Sequence, residues 1–318
     1  MSYYLVTIAV YFAVDAMACV ALNLQFGVAG VINFGFILFQ ATGAYVAAVL
    51  SLPKDTAHNG FQQYVLGLHL PFPYPWLAAI LVSGLLALPI GLVVLRRLRN
   101  DLQAISLIVT SVIATLIVTN STPFLNGAAG VALVPAPFAG HMSPTGTPYE
   151  WLYIGVAFAC AVLVLLFATR LTYSPYGRTL RAIRENEDAA GALGKHVYAR
   201  KVVIFVVGGA LGGLSGAVLV GYIGFWAPSA WLYPETIILV AAIIVGGRGN
   251  HLGAVLGALL VPLGFEEVTR FIPQFGTSGL TPAIEWVVIG SLILGFLWFR
   301  PRGVIPETRR VFGPTRDG

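Results

Sequence analysis

The stretch VVIFVVGGALGGLSGAVLVGYI, residues 202–223, contains no charged residue. As an α-helix, a run of this length crosses the hydrocarbon core of a bilayer, which requires about 20 residues. Lipid offers no hydrogen-bond partner to backbone groups, so a crossing segment has to be a helix or a strand of a closed barrel. Because the run is continuously apolar rather than alternating, it predicts a transmembrane helix.

Similar runs recur along the chain, and the composition agrees with them. Hydrophobic residues make up 58% of the 318 residues and charged residues only 10%, whereas a soluble domain carries roughly 25% charged residues. We therefore predict an all-α polytopic bundle of eight or nine spans, forming a single membrane domain over residues 1–318. The other runs lie near 4–24, 27–50, 76–95, 103–120, 151–169, 236–246, 252–264 and 284–299.

Two of these runs, 236–246 and 252–264, are short. They are either a re-entrant pair or two helices shortened by the turn at 246–249, which reads GGRG. Both alternatives remain open from the sequence, and we expect span boundaries to be accurate only to a few residues.

The positive charges predict the orientation. With nine spans, 16 of the 18 lysines and arginines fall on one side of the membrane, and Lys54 and Arg270 fall on the other. Because positive charge is retained in the cytoplasm, the N-terminus is predicted outside and the C-terminus inside. The long loop 170–201 and the tail 300–318 are then cytoplasmic. Basic loops beside membrane helices need no nucleic-acid partner, and we expect none.

The cytoplasmic loop carries a helix signal of its own. Ser174 is a suitable N-cap, Pro175 suits the first helical position, and 178–193 favours helix apart from Gly191. Its apolar face is too thin to be buried alone, so the helix needs a partner. One alternative is an interfacial helix on anionic headgroups. The acidic residues Glu185, Glu187 and Asp188 argue against that alternative, because headgroups repel carboxylates.

The same loop resembles a known motif. DAAGALG at 188–194 is similar to the EAAxxxG coupling motif of bacterial ABC importer permeases, with Asp188 in place of glutamate. SPYGR at 174–178 together with RENEDAAGALG at 184–194 resembles, more specifically, the branched-chain amino acid importer permeases (LivH/LivM type). Further matches follow the order of that family: LNLQFGVAGVINFG at 22–35, GAY at 43–45, NGAAGV at 126–131, GGRG at 246–249 and PRG at 301–303.

The resemblance implies a set of partners. In that family the permease assembles with a second permease subunit, usually a different chain, with two cytoplasmic ATPase subunits and with a periplasmic solute-binding protein. ATP and Mg²⁺ would be bound by the ATPases, with no cofactor or metal in this chain. The loop helix would dock in a groove of an ATPase through Gly177, Arg178, Arg181, Arg184, Glu185, Asp188, Ala189, Ala190 and Gly194.

The residue types in this set suit docking. Ala189 and Ala190 allow close approach, Gly194 ends a helix, and arginines pair with acidic groove residues. Two departures from the family pattern are the shorter carboxylate of Asp188 and Gly191, which weakens a helix by ~1 kcal/mol relative to alanine.

Polar and small residues inside the spans suggest packing sites and a pathway. Gly27, Gly30, Gly35 and Gly43 give the second span a small-residue surface, which favours close packing or, alternatively, a broken helix that lines a pathway. An intramembrane carboxylate such as Asp15 is costly and either pairs with a cytoplasmic-side arginine or backbone group or serves the pathway. The other candidate pathway residues are Asn33, Gln40, Thr110, Ser111 and Asn120.

Three classes of function remain to be compared. The chain has no Walker A sequence and little charge within its spans, which favours the translocation subunit of an ABC importer over a stand-alone secondary transporter or channel. An integral membrane enzyme would need a clustered catalytic set, and the sequence suggests none. The resemblance implies branched-chain amino acids as substrate, although relatives of this architecture carry other amino acids, urea or small carboxylates.

Overall fold

The computed structural model describes residues 2–54, 62–97, 100–138 and 146–264, and then 287–288, 290–291, 294–296, 298–300 and 302–307. Regular structure in these residues is helical apart from isolated β-bridges. The all-α prediction is therefore confirmed. The α-helices are α1 (Ser2–Asn23), α2 (Ile37–Ser51), α3 (Tyr74–Arg97), α4 (Asn100–Asn120), α5 (Thr122–Leu125), α6 (Thr147–Tyr173), α7 (Pro175–Glu185), α8 (Glu187–Ala192), α9 (Val197–Ile223), α10 (Tyr233–Gly246) and α11 (His251–Ala258).

Within the described residues, six helical segments are long and apolar enough to cross a membrane. Two shorter apolar helices, Ile37–Ser51 and His251–Leu263, pack among them. The ninth predicted run, 284–299, lies partly outside the described residues. The six segments are Tyr4–Val28, Tyr74–Arg96, Leu102–Asn120, Pro148–Tyr173, Val197–Ile223 and Pro228–Gly246.

Helix α9 lies at the centre of the bundle, where it packs against α1, α2 and α3. Its glycines permit this approach. A Cβ atom on Gly43 of α2 would lie 2.0 Å from the carbonyl oxygen of Gly213, and one on Gly216 would lie 1.9 Å from that of Gln40. These contacts are backbone on backbone, so no side chain could move to accommodate a methyl group. Gly43, one of the second-span glycines for which the sequence left packing or a pathway-lining broken helix open, is thus a packing position.

The chain between α1 and α2 is broken rather than continuous. A π-helix, Leu24–Val28, extends α1, and residues 29–36 are not helical before α2 begins at Ile37. The predicted second span, 27–50, was therefore too long at its start. Asn33 explains the break, because its amide donates to Gln25 Oε1 at 2.8 Å and its Oδ1 accepts from the N–H of Gly35 at 3.1 Å. Such side-chain bonds compete with helical ones.

Helices α10 and α11 form a close pair. A Cβ on Gly246 would lie 1.9 Å from the carbonyl oxygen of Gly253. A Cβ on Gly257 would lie 1.9 Å from the carbonyl oxygen of Ala242. The turn between them contains Gly247 at φ +132° and Gly249 at φ +83°, backbone conformations that favour glycine. A π-helix, Leu259–Leu263, continues α11 and contains Pro262. The two short predicted runs are thus separate helices joined by a tight turn.

Candidate coupling site and membrane pathway

The first part of the loop 170–201 is a capped helix against the end of α6. The Ser174 hydroxyl accepts a hydrogen bond from the N–H of Gly177 at 3.3 Å, and Pro175 occupies the first position of α7. The predicted cap is confirmed. Gly177 packs against its own chain, since a Cβ there would lie 2.1 Å from the carbonyl oxygen of Thr172. Its small size therefore serves the corner between α6 and α7.

The loop then contains two helices where the sequence suggested one over 178–193. Asn186 is extended (φ −156°, ψ 107°), and its Oδ1 accepts from the N–H of Ala189 at 2.9 Å. It thus ends α7 and caps α8, as asparagine prefers to do. Gly194, at φ +74°, lies at the end of α8. Its N–H donates to Gly191 O, and the Lys195 N–H donates to Ala190 O. This is the Schellman pattern, and it confirms the predicted helix end.

One face of α7 is tied to distant parts of the same chain. Arg184 donates to the carbonyl oxygen of Gly27, in the π-helical segment, and its Nη2 lies 2.7 Å from Glu307 Oε2. Arg181 Nε lies 3.3 Å from the other carboxylate oxygen, Oε1. We refer to Arg181, Arg184 and Glu307 as the clamp. Glu307 was missed by the sequence reasoning, because no local pattern marks a residue that acts across more than a hundred positions.

The segment that carries Glu307 is itself held by backbone bonds. The N–H groups of Val304 and Ile305 donate to the carbonyl oxygens of Val245 and Gly246 at 2.8 and 2.9 Å. The Asn250 amide donates to Pro306 O at 3.1 Å. The clamp therefore joins α7 both to the break after α1 and to the turn after α10.

A second buried cluster lies at the same end of the bundle. His251 sits between the Asn23 amide, 3.3 Å from its Nδ1, and the Thr172 hydroxyl, 2.7 Å from its Nε2. Asn23 Oδ1 accepts from the N–H of Gly249, so its Nδ2 is the group that faces the ring and can only donate. His251 Nδ1 must then be unprotonated, which makes the imidazole neutral and leaves Nε2–H to donate to Thr172.

The opposite face of α7 and α8 is exposed. Leu193 beside Gly194 is 80% exposed. Ala190, by contrast, is 4% exposed, and the neighbouring Glu187 pairs with the buried Lys201 of α9. Of the predicted coupling residues, Gly177, Arg181, Arg184 and Ala190 thus face their own chain to varying degrees. The exposed ones are Arg178, Glu185, Asp188, Ala189 and Gly194.

Two of the candidate pathway residues share a cavity. A cleft of about 240 Å³ between α1, α2, α9 and α10 is lined by Asp15 and Gln40. The sequence left open whether Asp15 pairs with a cytoplasmic-side arginine or a backbone group or serves the pathway, and its place in this lining agrees with the last alternative. The sequence reasoning missed the other polar members of the lining, which are Tyr11, Trp226 and Glu235.

The remaining pathway candidates lie elsewhere. Asn33 belongs to the break described above, and the Gln25 amide it contacts also donates to Phe205 O at 2.8 Å. Thr110 and Asn120 bond to carbonyl oxygens of their own helix, those of Ser106 and Leu116. Ser111 is buried, and its Oγ has no hydrogen-bond partner in the described part of the chain. The structure does not bring these four residues to the cleft.

Comparison with known proteins decides the family. A family model described as "Branched-chain amino acid transport system / permease component" matches residues 4–297. The chain belongs to this permease family. Membership makes it the membrane permease subunit of an ABC importer rather than an enzyme, with ATP hydrolysis located in partner subunits.

Curated relatives of the permease cover nearly its whole length. It is 27% identical to the high-affinity branched-chain amino acid permease LivM of Escherichia coli, over 91% of this chain and 67% of that protein. The probable LivM of Methanocaldococcus jannaschii is 25% identical over 97% of this chain and 95% of its own. LivH of E. coli is 25% identical over 93% of both. No solved structure matches the permease.

Proposed function

We propose that this permease moves branched-chain amino acids from the periplasm to the cytoplasm across a bacterial inner membrane. Its relatives from E. coli and M. jannaschii carry that substrate in their names. The driving force is ATP hydrolysis with Mg²⁺ in two cytoplasmic ATPase subunits. A periplasmic solute-binding protein delivers the substrate, and the second permease subunit is a different chain. Similarity to both LivM and LivH supports the last point, because those are two permeases of one organism.

The coupling role belongs to α7 and α8. The observation that carries it is the division of their surface, with Arg181 and Arg184 clamped inward while Asp188 and Ala189 face outward. A helix that is bonded to the bundle on one side and exposed on the other passes a displacement from a docked subunit to the membrane helices. The positive charges of the loop favour a cytoplasmic position for this surface, on the side of the ATPases.

The two faces assign different roles to neighbouring alanines. Ala190 is buried against its own chain, so enlarging it disturbs folding. Ala189 is exposed, so a larger side chain there blocks a docked partner without disturbing the permease.

The test is copurification of the complex from its native membrane in mild detergent. The wild-type permease should bring an ATPase subunit with it, and Ala189→Arg should reduce that recovery at least tenfold because the added side chain opposes close approach. Ala199→Arg, at an exposed alanine on α9 outside the docking surface, serves as the matched control and should retain the ATPase.

Two outcomes would contradict the proposal. One is full ATPase recovery with Ala189→Arg. The other is transport by the permease alone, in liposomes driven by an ion gradient, which would identify it as a secondary transporter.

A further inference from the structure

The cleft between α1, α2, α9 and α10 contains hydrogen-bond donors without acceptors. Trp226 lines it and is 2% exposed, and its buried Nε1–H has no partner among the described residues. Gln40, 4% exposed, also lines it, and we find no hydrogen bond from its side chain within the described ranges. A buried donor without an acceptor costs about 1–3 kcal/mol, so such groups indicate a missing acceptor.

Backbone donors near the cleft are already occupied. Helix α2 begins there at Ile37, whose N–H donates to the Thr236 hydroxyl at 3.0 Å. The N–H groups of Leu38 and Phe39 donate to Gly35 O and Phe36 O. The helix end therefore contributes its dipole but no free N–H, and direct recognition of an anion is left to Trp226 and Gln40.

The opposite charge is present in the same cleft. Asp15 of α1 and Glu235 in the first turn of α10 both line it, and Glu235 is exposed. Carboxylates within a membrane bundle face an interior cavity or a water-filled path rather than lipid. They accept hydrogen bonds strongly from a charged N–H donor.

The rest of the wall is aliphatic. Ile37, Leu219, Ile223, Ile238 and Leu239 surround the polar groups, and Val261 and Pro262 close the wall from the π-helical end of α11. π-helical segments of this kind are frequent at functional sites. The cleft thus presents acceptors, donors and branched apolar side chains to one small volume of about 240 Å³.

We propose that this cleft is a transient binding site within the membrane for an aliphatic α-amino acid in its zwitterionic form. Asp15 and Glu235 hold the ammonium group, Trp226 Nε1 and the Gln40 amide hold the carboxylate, and the aliphatic wall receives the side chain. The proposal rests on the proposed function and adds to it a substrate site in the permease itself, separate from that of the binding protein.

A larger cleft of about 580 Å³ lies between α2, α3 and α4, and it lacks this chemistry. Its lining is almost wholly apolar, and its hydroxyls are already engaged. Thr42 donates to Leu38 O at 2.7 Å, and the Tyr45 hydroxyl lies 3.4 Å from Trp231 Nε1. A zwitterion would lose its hydration there without compensation.

Competition binding tests the site. The purified complex of permeases and ATPases, without binding protein, is titrated with radiolabelled L-leucine. Two competitors each lack one charged group: 4-methylpentanoate has no ammonium and 3-methylbutylamine has no carboxylate. With the wild type, each should compete at least tenfold more weakly than leucine, because each lacks the charged group that one end of the cleft holds.

Conservative variants assign the two ends. Asp15→Asn should weaken leucine binding about tenfold and remove the preference for leucine over 4-methylpentanoate. Trp226→Phe keeps an aromatic ring, although a smaller one, and removes the donor, so it should remove the preference over 3-methylbutylamine instead. Thr42→Val, at a position on α2 that lines the other cleft, is the matched control and should change neither preference.

The outcomes separate the two proposals. Leucine transport by the wild-type complex, together with unchanged preferences in Asp15→Asn and Trp226→Phe, would overturn the cleft site and leave the importer intact. Absence of leucine binding to the wild-type complex would also overturn the site. A complex that hydrolyses ATP yet transports no branched-chain amino acid would overturn the proposed substrate.

Discussion

At the scale of single residues, the clamp shows what local sequence reveals and what it does not. Ser174, Pro175 and Gly194 have roles in helix ends that depend on their neighbours alone, and these were predicted correctly. Glu307 depends on Arg181 and Arg184, which lie more than 120 positions earlier. Asp15 was singled out for the cost of its charge, but most of its companions in the cleft come from distant parts of the chain. Contacts between residues that are distant in the sequence leave no pattern in a short stretch of sequence around either residue.

The clamp yields a prediction about stability. Glu307→Gln removes the charge that two arginines share, and side chains only 13–26% exposed are screened little by water. We expect a loss of roughly 1–3 kcal/mol and a lower melting temperature for the detergent-solubilised permease. Thermal unfolding measures it. Glu185→Gln, at an exposed carboxylate on the same helix, should leave the melting temperature unchanged.

A double-mutant cycle with Arg184→Gln checks that the loss arises from the pair. The effects of the two single variants should not add, and a coupling free energy of at least about 0.5 kcal/mol is expected for a direct contact. Strict additivity would show that the ion pair contributes nothing to folding.

At the scale of elements, the helices were predictable from apolar run length and their irregular ends were not. Long runs placed α3, α4, α6 and α9 within a few residues, because the bilayer requires a minimum length. The break at residues 29–36 lies inside the predicted second span, 27–50, and it depends on Asn33 contacting Gln25. Asn186, whose preference for helix caps is a local property, was a signal that could have been used.

Glycine contacts between helices give a prediction at this scale. Gly43→Ala places a methyl group 2.0 Å from a backbone oxygen of α9, so α2 and α9 must separate. We expect a destabilisation of about 1–3 kcal/mol, as for other overpacked cores, measured by thermal unfolding and by the yield of monodisperse protein. Gly155→Ala in α6, where a Cβ meets nothing within 4 Å, is the control. It should be neutral or stabilise by up to ~1 kcal/mol.

At the scale of the whole molecule, the charge distribution makes a prediction about orientation. Leu193, just after α8, and Leu133, in the segment between α5 and α6, are both highly exposed, at 80% and 65%. Cysteines placed there, in a chain whose Cys19 and Cys160 are replaced by alanine, report their side of the membrane. An impermeant maleimide should label Leu133→Cys in spheroplasts and label Leu193→Cys only after permeabilisation. The reverse pattern would invert the topology.

The clamp also implies an order of events during synthesis. Gly27, Arg181 and Arg184 all leave the ribosome before Glu307, and Val245 and Gly246 precede the Val304–Ile305 segment that pairs with them. All eleven described α-helices are therefore synthesised while α7 still lacks its carboxylate partner. Only a chain translated through residue 307 can lock that helix against the bundle. Prematurely terminated chains would reach the membrane with α7 unlocked, which would distinguish them from finished ones.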